Sequence, residues 1–301
     1  MNSNDDNNDV DDKLSRQTAS VPVVSVSLPT PTPGEDVVVT EAPLQVQVQG
    51  SNVAVLMRTP GDDDVLTLGF LWSEGWIRSI DDVRSVRHCD TVDDDPTADW
   101  DDDDHVMQVV LHDDSALQKR RQRATVSSSS CGMCGKALLD EVASQCAPVP
   151  MTSTQVPVGG LADAVQQMQA AQRVHQKTGA CHAAAAFAVD NDELALEALY
   201  EDVGRHNACD KLLGHTLRHP SSSSTSVWVL SSRIAYELVH KAAVAQVAVL
   251  AGVSAPTSLA VRLADRMGIT LVGFVRGTRA NVYTHPNRLG LTPAPPVEID
   301  A

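Results

Sequence analysis

Hydrophobic and polar positions along this chain follow two periods. Leu44-Gln45-Val46-Gln47-Val48 alternates strictly, which predicts a strand with one buried face, and NVAVLM (52–57) predicts a second. In RTPGDDDVLTLGFLWSEGWI the apolar positions Leu66, Leu68, Phe70 and Leu71 follow a group of capping residues. That order predicts a helix capped by Thr59 or by one of Asp62–Asp64 and stopped at Gly75. A further strand is expected in HVMQVVLHD (105–113).

The most regular stretch runs from Val227 to Val275. VWVL (227–230) and VAVLAGV (247–253) are continuous apolar runs, as strands covered on both faces should be. Between them, SSRIAYELVHKAAVAQ puts Ile234, Leu238, Val239 and Ala242 on one helical face. SAPTSLAVRLADRMG predicts a second helix, with Ser254 as cap, Pro256 in the first turn and Gly268 as stop, and ITLVGFV (269–275) predicts a third strand. The order β-α-β-α-β implies a parallel layer with right-handed crossovers, hence an α/β fold.

Parallel sheets bind ligands beyond the carboxyl ends of their strands. Those ends are Ser231-Ser232-Arg233, Ser254-Ala255-Pro256-Thr257-Ser258 and Arg276-Gly277-Thr278-Arg279, and two of them open helices whose free N–H groups favour anions. The functional expectation is a pocket for a phosphate-bearing small molecule; ordinary helix capping beside surface arginines would produce the same pattern.

Charge narrows the partners. The 301 residues carry a net charge of −16, so long-range attraction to nucleic acid is excluded and any anionic ligand needs a local basic pocket. Residues 1–37 begin polar and acidic and read as a disordered tail. A second domain portion over 38–126 follows, interrupted by an acidic loop at 90–104, and 127–301 carries the orderly α/β pattern. The N-terminus lacks an apolar signal segment and no window approaches a membrane span, so a cytoplasmic location is expected. A reducing compartment then disfavours disulfides among Cys89, Cys131, Cys134, Cys146, Cys181 and Cys209.

SSSSCGMCGK (127–136) sets Cys131 and Cys134 three residues apart between serines and glycines. A helix beginning after Cys134, with Lys136 nearby, would lower a thiol pKa and favour a nucleophilic thiolate able to carry sulfur. Zinc would need two more ligands, for which Cys181-His182 is the available pair, and a thioredoxin-like redox motif would need a preceding strand. In YEDVGRHNACDKLLG (200–214), a helix would put His206 on one face with Asp210 and with Asp202. Such a set can orient a base or grip a ligand; exposed ion pairs at a helix start are the alternative.

Taken together and in order, RTPGDDDVLTLGFLWSEGWI, SSSSCGMCGK, TGACHAAAAF, YEDVGRHNACDKLLG, SSRIAYELVHKAAV and LAGVSAPTSLAVRLADRMGITLVGFVRGTRANVYTHP resemble the FdhD family, over about residues 38–290. The resemblance implies a cytidine deaminase-like sheet with flanking helices, a smaller N-terminal α+β subdomain, and a homodimer. It implies an accessory sulfurtransferase for formate dehydrogenase, taking persulfide sulfur from a cysteine desulfurase onto Cys131, with Cys134 assisting. The sulfur would pass to the molybdenum cofactor, bis-molybdopterin guanine dinucleotide, which guanine nucleotides would mimic. The family's cofactor stretch matches Phe274, Val275, Arg276, Gly277, Thr278 and Arg279, which joins Ser254, Thr257, Arg233, His206 and Asp202 as the expected cofactor-facing set. No nucleic acid, membrane or resident metal is implied. A zinc-stabilised nucleotide-binding or scaffold protein without turnover is the alternative. Zinc-dependent deamination is disfavoured because Ser130 precedes Cys131 and no HxE occurs. Ala180 stands where the family commonly has glycine, so the loop at Thr178 is expected to differ slightly.

Overall fold

The computed structural model describes residues 13–27, 30–89, 105–113, 142, 146–151, 155–190, 193–220 and 226–292. In chain order the elements are β1 (Thr18–Ser27), β2 (Thr30–Val39), β3 (Ala42–Val48), β4 (Ser51–Arg58), α1 (Asp63–Ser73), β5 (Val83–His88) and β6 (Val106–Leu111). Then come α2 (Gly160–Ala171), α3 (Arg173–Thr178), β7 (His182–Asp190), β8 (Glu193–Asp202), α4 (Arg205–Arg218), β9 (Ser226–Leu230), α5 (Tyr236–Val244), β10 (Val249–Gly252), α6 (Ser258–Arg266), β11 (Thr270–Arg276) and β12 (Arg279–Val282). The protein is mixed α/β, with several sheets and flanking helices. It divides into two compact units: Met1–Ser130 with Gln172–Ala183 and Tyr200–Arg218, and Cys131–Ala171 with Ala184–Leu199 and His219–Ala301.

In the first unit a four-stranded sheet has the order β4-β3-β6-β5. Alternation does what the pattern requires: Leu44, Val46 and Val48 of β3 and Met107, Val109 and Leu111 of β6 are buried on one face. Helix α1 covers that face, Leu68 and Leu71 packing with Val46, Val48 and Val109, and Leu66 with Leu44 and Met107. Asp62, one of the expected caps, occupies the cap position of α1, though without a side-chain cap bond, and Gly75 is left-handed at φ 69°, as a helix stop should be. Helices α1 and α4 touch backbone to backbone. A Cβ on Gly69 would lie 1.9 Å from the Asp210 carbonyl oxygen, and one on Gly214 would lie 1.9 Å from that of Val65, so only glycine fits either position.

Two expectations about organisation are corrected here. The described part of the tail is not disordered: β1 and β2 form an antiparallel hairpin, paired from Thr18 with Val39 to Ser27 with Thr30. The acidic composition of residues 1–20 hid the β-branched runs at 21–26 and 37–39, which favour strands. Residues 172–183 and 200–218, expected in the C-terminal domain, belong to the first unit; for 200–218 the cause is that α4 packs against α1 through the paired glycines.

Most of a six-stranded sheet of order β12-β11-β10-β9-β7-β8 lies in the second unit, the ends of β7 and β8 at 182–183 and 200–202 belonging to the first. Strands β9, β10 and β11 are parallel, linked by α5 and α6 as the β-α-β-α-β pattern predicted, while β7 and β12 run antiparallel to their neighbours β9 and β11. Val227–Leu230 and Val249–Ala251 are buried throughout. At the amino ends of the parallel strands the buried Arg288 donates to the carbonyls of Gly268 (2.5 Å), Ala248 (3.3 Å), Val149 (3.3 Å) and Pro150 (3.0 Å). With the Thr270 hydroxyl, which also accepts from Arg288 (3.3 Å), these backbone oxygens hold the cation, and it ties three chain segments together. Gly268 ends the second helix at φ 69°, as expected.

Candidate functional site

The carboxyl ends of β9, β10 and β11 lie along one edge of the second sheet, as their parallel order requires. The loops beyond them are bonded to one another. Ile234 N–H donates to the Ala255 carbonyl (3.0 Å) and Thr257 N–H to the Ile234 carbonyl (2.9 Å), a short parallel bridge that keeps Ile234 out of α5. Phe274 N–H donates to the Ser254 carbonyl (3.1 Å). Thr257, not Ser254, caps α6: its hydroxyl accepts from Ala260 N–H (3.3 Å). Ser254 lies three residues too early because Pro256 is taken up by the bridge with Ile234.

Of the expected cofactor-facing residues, Arg233, Thr257, Arg276, Gly277, Thr278 and Arg279 are exposed along this edge, Ser254 and Phe274 are half-buried, and Val275 is buried. Arg276 is held in place. Its Nε donates to the Val253 carbonyl (3.2 Å), and its guanidinium lies 5.7 Å from the centroid of the Phe274 ring. Three guanidinium groups and helix-opening backbone on one edge form a local positive patch in an acidic protein, which can hold an anion.

His206 and Asp202 belong to the first unit. Asp202 ends β8 rather than riding on the helix with His206, because α4 starts only at Arg205; His206 and Asp210 do share that helix. Asp202 and Lys211 are both fully buried, 2.8 Å apart. The Asp202 carboxylate also accepts from Thr59 N–H (3.1 Å), Gly204 N–H (2.9 Å) and Asn207 Nδ2 (3.1 Å). The Lys211 ammonium donates to the carbonyls of Thr59 (3.0 Å) and Glu201 (3.2 Å). Both groups are thus satisfied within the protein, and Asp202 serves to fix the turn that leads into α4. Nearby, Arg58 makes a two-point pair with Asp63 (2.8 Å each), and Glu201 accepts the first N–H groups of α3 from Val174 (2.9 Å) and His175 (2.8 Å). Sequence reasoning took Asp63 only as a candidate helix cap, had Lys211 only as part of a charge-dense motif, and passed over Arg58 and Glu201. Its only signal was the density of charge in two motifs.

The thiols are distributed unevenly. Cys131 and Cys134 lie outside the described residues, as does the acidic loop 90–104. Cys181 and Cys209 are buried. Burial, with Glu201 and Asp202 nearby, pushes the Cys181 thiol up to about 12, against the opposing effect of a Thr59 hydrogen bond and Lys211. It therefore stays protonated and unreactive at neutral pH. Burial raises Cys146 as well. Among the described residues no group of three or more His, Cys, Asp and Glu is placed to hold a metal ion. In the Thr178-Gly179-Ala180 loop Gly179 takes the left-handed conformation (φ 68°) and closes α3, so the turn does not require glycine at Ala180. Among the described residues no helix is long and apolar enough to cross a membrane.

Fold and site together define a mixed α/β protein that presents basic side chains at the carboxyl edge of a parallel layer. The chain belongs to the FdhD/NarQ family, whose model matches residues 39–290. It is 40% identical over 257 residues to the sulfur carrier protein FdhD of Nocardia farcinica, covering 85% of this chain and 88% of that one. It is 42% identical over 268 residues to the sulfur carrier protein FdhD of Streptomyces coelicolor, covering 86% and 91%. A crystal structure of a candidate formate dehydrogenase accessory protein from Desulfotalea psychrophila superposes with a TM-score of 0.68 at 21% identity, over 91% of this chain and 99% of that one. At that identity the likeness concerns the fold.

Proposed function

We propose that this protein is a sulfur carrier serving formate dehydrogenase. The observation that carries the reading is the basic carboxyl edge of the second sheet, in a chain whose relatives are named sulfur carriers. Cys131 thiolate attacks the outer sulfur of a cysteine desulfurase persulfide, forming a new persulfide on Cys131 and releasing the donor's cysteine thiolate. Cys134, three residues on, assists the onward transfer. The recipient is the molybdenum cofactor, bis-molybdopterin guanine dinucleotide, bound as substrate rather than as a resident group. Its phosphates would meet Arg233, Arg276, Arg279, the hydroxyls of Ser254, Thr257 and Thr278, and free backbone at Gly277. His206 and Asp202 lie in the first unit, and a cofactor contact by His206 stays a separate proposal from this edge, while Asp202 is assigned to supporting the turn into α4.

The cytidine deaminase-like description of the larger sheet, the homodimer and the cytoplasmic setting belong to the same proposal. Deamination does not, since the HxE and PCxxC ligand pattern is absent from the sequence. The test of the cofactor edge is binding of guanosine diphosphate to the wild type and to a double variant, Arg276→Ala with Arg279→Ala. Loss of two charge-assisted contacts should weaken binding at least about tenfold. Equal affinity of the two proteins would remove this edge from the proposal.

A further inference from the structure

Phe274 is an unusual residue for its position. It has φ 53°, a left-handed conformation that a bulky side chain rarely adopts, and the pairing of β11 with β12 shifts register between Gly273 and Arg276. Such a bulge re-aims the side chains of the strand that carries it. Here the distortion is held from outside the strand by the hydrogen bond from Phe274 N–H to the Ser254 carbonyl. Gly273 makes the close approach possible, since a Cβ there would lie 2.9 Å from Pro256 Cδ and 3.1 Å from the Ser254 carbonyl oxygen. The consequence is visible at Arg276, whose guanidinium lies over the Phe274 ring while its Nε is tied to the Val253 carbonyl. The four N–H donors on its two terminal nitrogens have no partner among the described residues. An exposed arginine ordinarily loses rotamer freedom when it binds; this one has lost much of it beforehand.

We propose that Phe274 is a positioning residue. Its ring holds Arg276 with both terminal nitrogens turned toward a diphosphate, and it makes no contact with the nucleobase. The proposal rests on the cofactor-edge reading above and assigns a division of labour within it. Neither Arg233 nor Arg279 is engaged by another described side chain, so Arg276 is the preorganised anion donor and the other two supply mobile charge.

Calorimetric binding of guanosine diphosphate and of inorganic pyrophosphate separates this role from base stacking. Phe274→Leu should weaken both ligands by the same factor, about threefold to tenfold. Phe274→Trp should restore both, and Phe274→Leu should cost nothing further in an Arg276→Ala background. Weakening of the nucleotide alone would show that the ring touches the base and overturn the proposal, as would unchanged binding of both. A readout that needs no ligand accompanies it. The Arg276 Nε–H resonance should be ring-current shifted and slow to exchange in the wild type, and should lose both properties in Phe274→Leu. If the wild type binds neither ligand, the cofactor-edge reading fails while this resonance still decides the positioning. Should Phe274→Leu not fold, Phe274→Asn, which accepts the left-handed backbone, takes its place.

Discussion

Replacing Lys211 with methionine keeps most of the side chain's volume and removes its charge from a fully buried site. The ammonium serves three acceptors: the Asp202 carboxylate at 2.8 Å and the carbonyls of Thr59 and Glu201 at 3.0 and 3.2 Å. After substitution the carboxylate keeps its three N–H donors from Thr59, Gly204 and Asn207 but loses its counter-charge, and two carbonyls lose a donor. Breaking a buried pair from one side typically costs about 3–5 kcal/mol, and that range is expected here. Urea unfolding should show a lower midpoint with an unchanged slope, and hydrogen exchange should accelerate first in peptides spanning 58–63 and 200–211. The double variant Lys211→Met with Asp202→Asn should recover part of the loss, because no uncompensated charge remains. A loss below about 1 kcal/mol in Lys211→Met would refute the assignment of this pair as the anchor of the turn into α4.

Gly214→Ala should destabilise by about 1–3 kcal/mol or more, since its Cβ cannot coexist with the Val65 carbonyl at 1.9 Å; a melting temperature equal to wild type would contradict the close helix crossing. His240, whose buried Nε2 has no hydrogen-bond partner among the described residues, is lowered to about 4 by burial and by Lys241. The unfolded chain therefore binds a proton there that the folded protein refuses. Stability should fall as pH drops from the ordinary histidine value toward about 4, by up to ~3 kcal/mol, and His240→Leu should flatten that slope in pH-dependent urea titrations. Iodoacetamide at pH 8 should leave Cys181 and Cys209 of the native protein unmodified, as peptide mass mapping would show; alkylation as fast as in the unfolded chain would contradict their burial.

Much of the second sheet could be read from the sequence because its signals are local. The apolar runs of β9, β10 and β11 and the stop at Gly268 each lie within a few residues, and their order alone puts three loops on one edge. The alternation at Leu44–Val48 fixed which face of β3 is buried for the same reason. The polar cluster of the first unit was not legible, because it depends on distance in sequence: Thr59 meets Lys211 across more than a hundred residues. Nothing local distinguishes Asp202, sealed against an ammonium, from a carboxylate waiting for a ligand. Phe274 shows the same limit on a smaller scale. Its motif marks it as important, yet its left-handed backbone arises from a bulge and from a bond to Ser254 on another loop.

The proposed sulfur chemistry rests on Cys131. Incubation with a cysteine desulfurase and cysteine, followed by intact mass measurement, should show a protein heavier by one sulfur atom. The adduct should be removed by a thiol reductant and absent from Cys131→Ala. No adduct on the wild type, or one that persists unchanged in Cys131→Ala, would contradict the account.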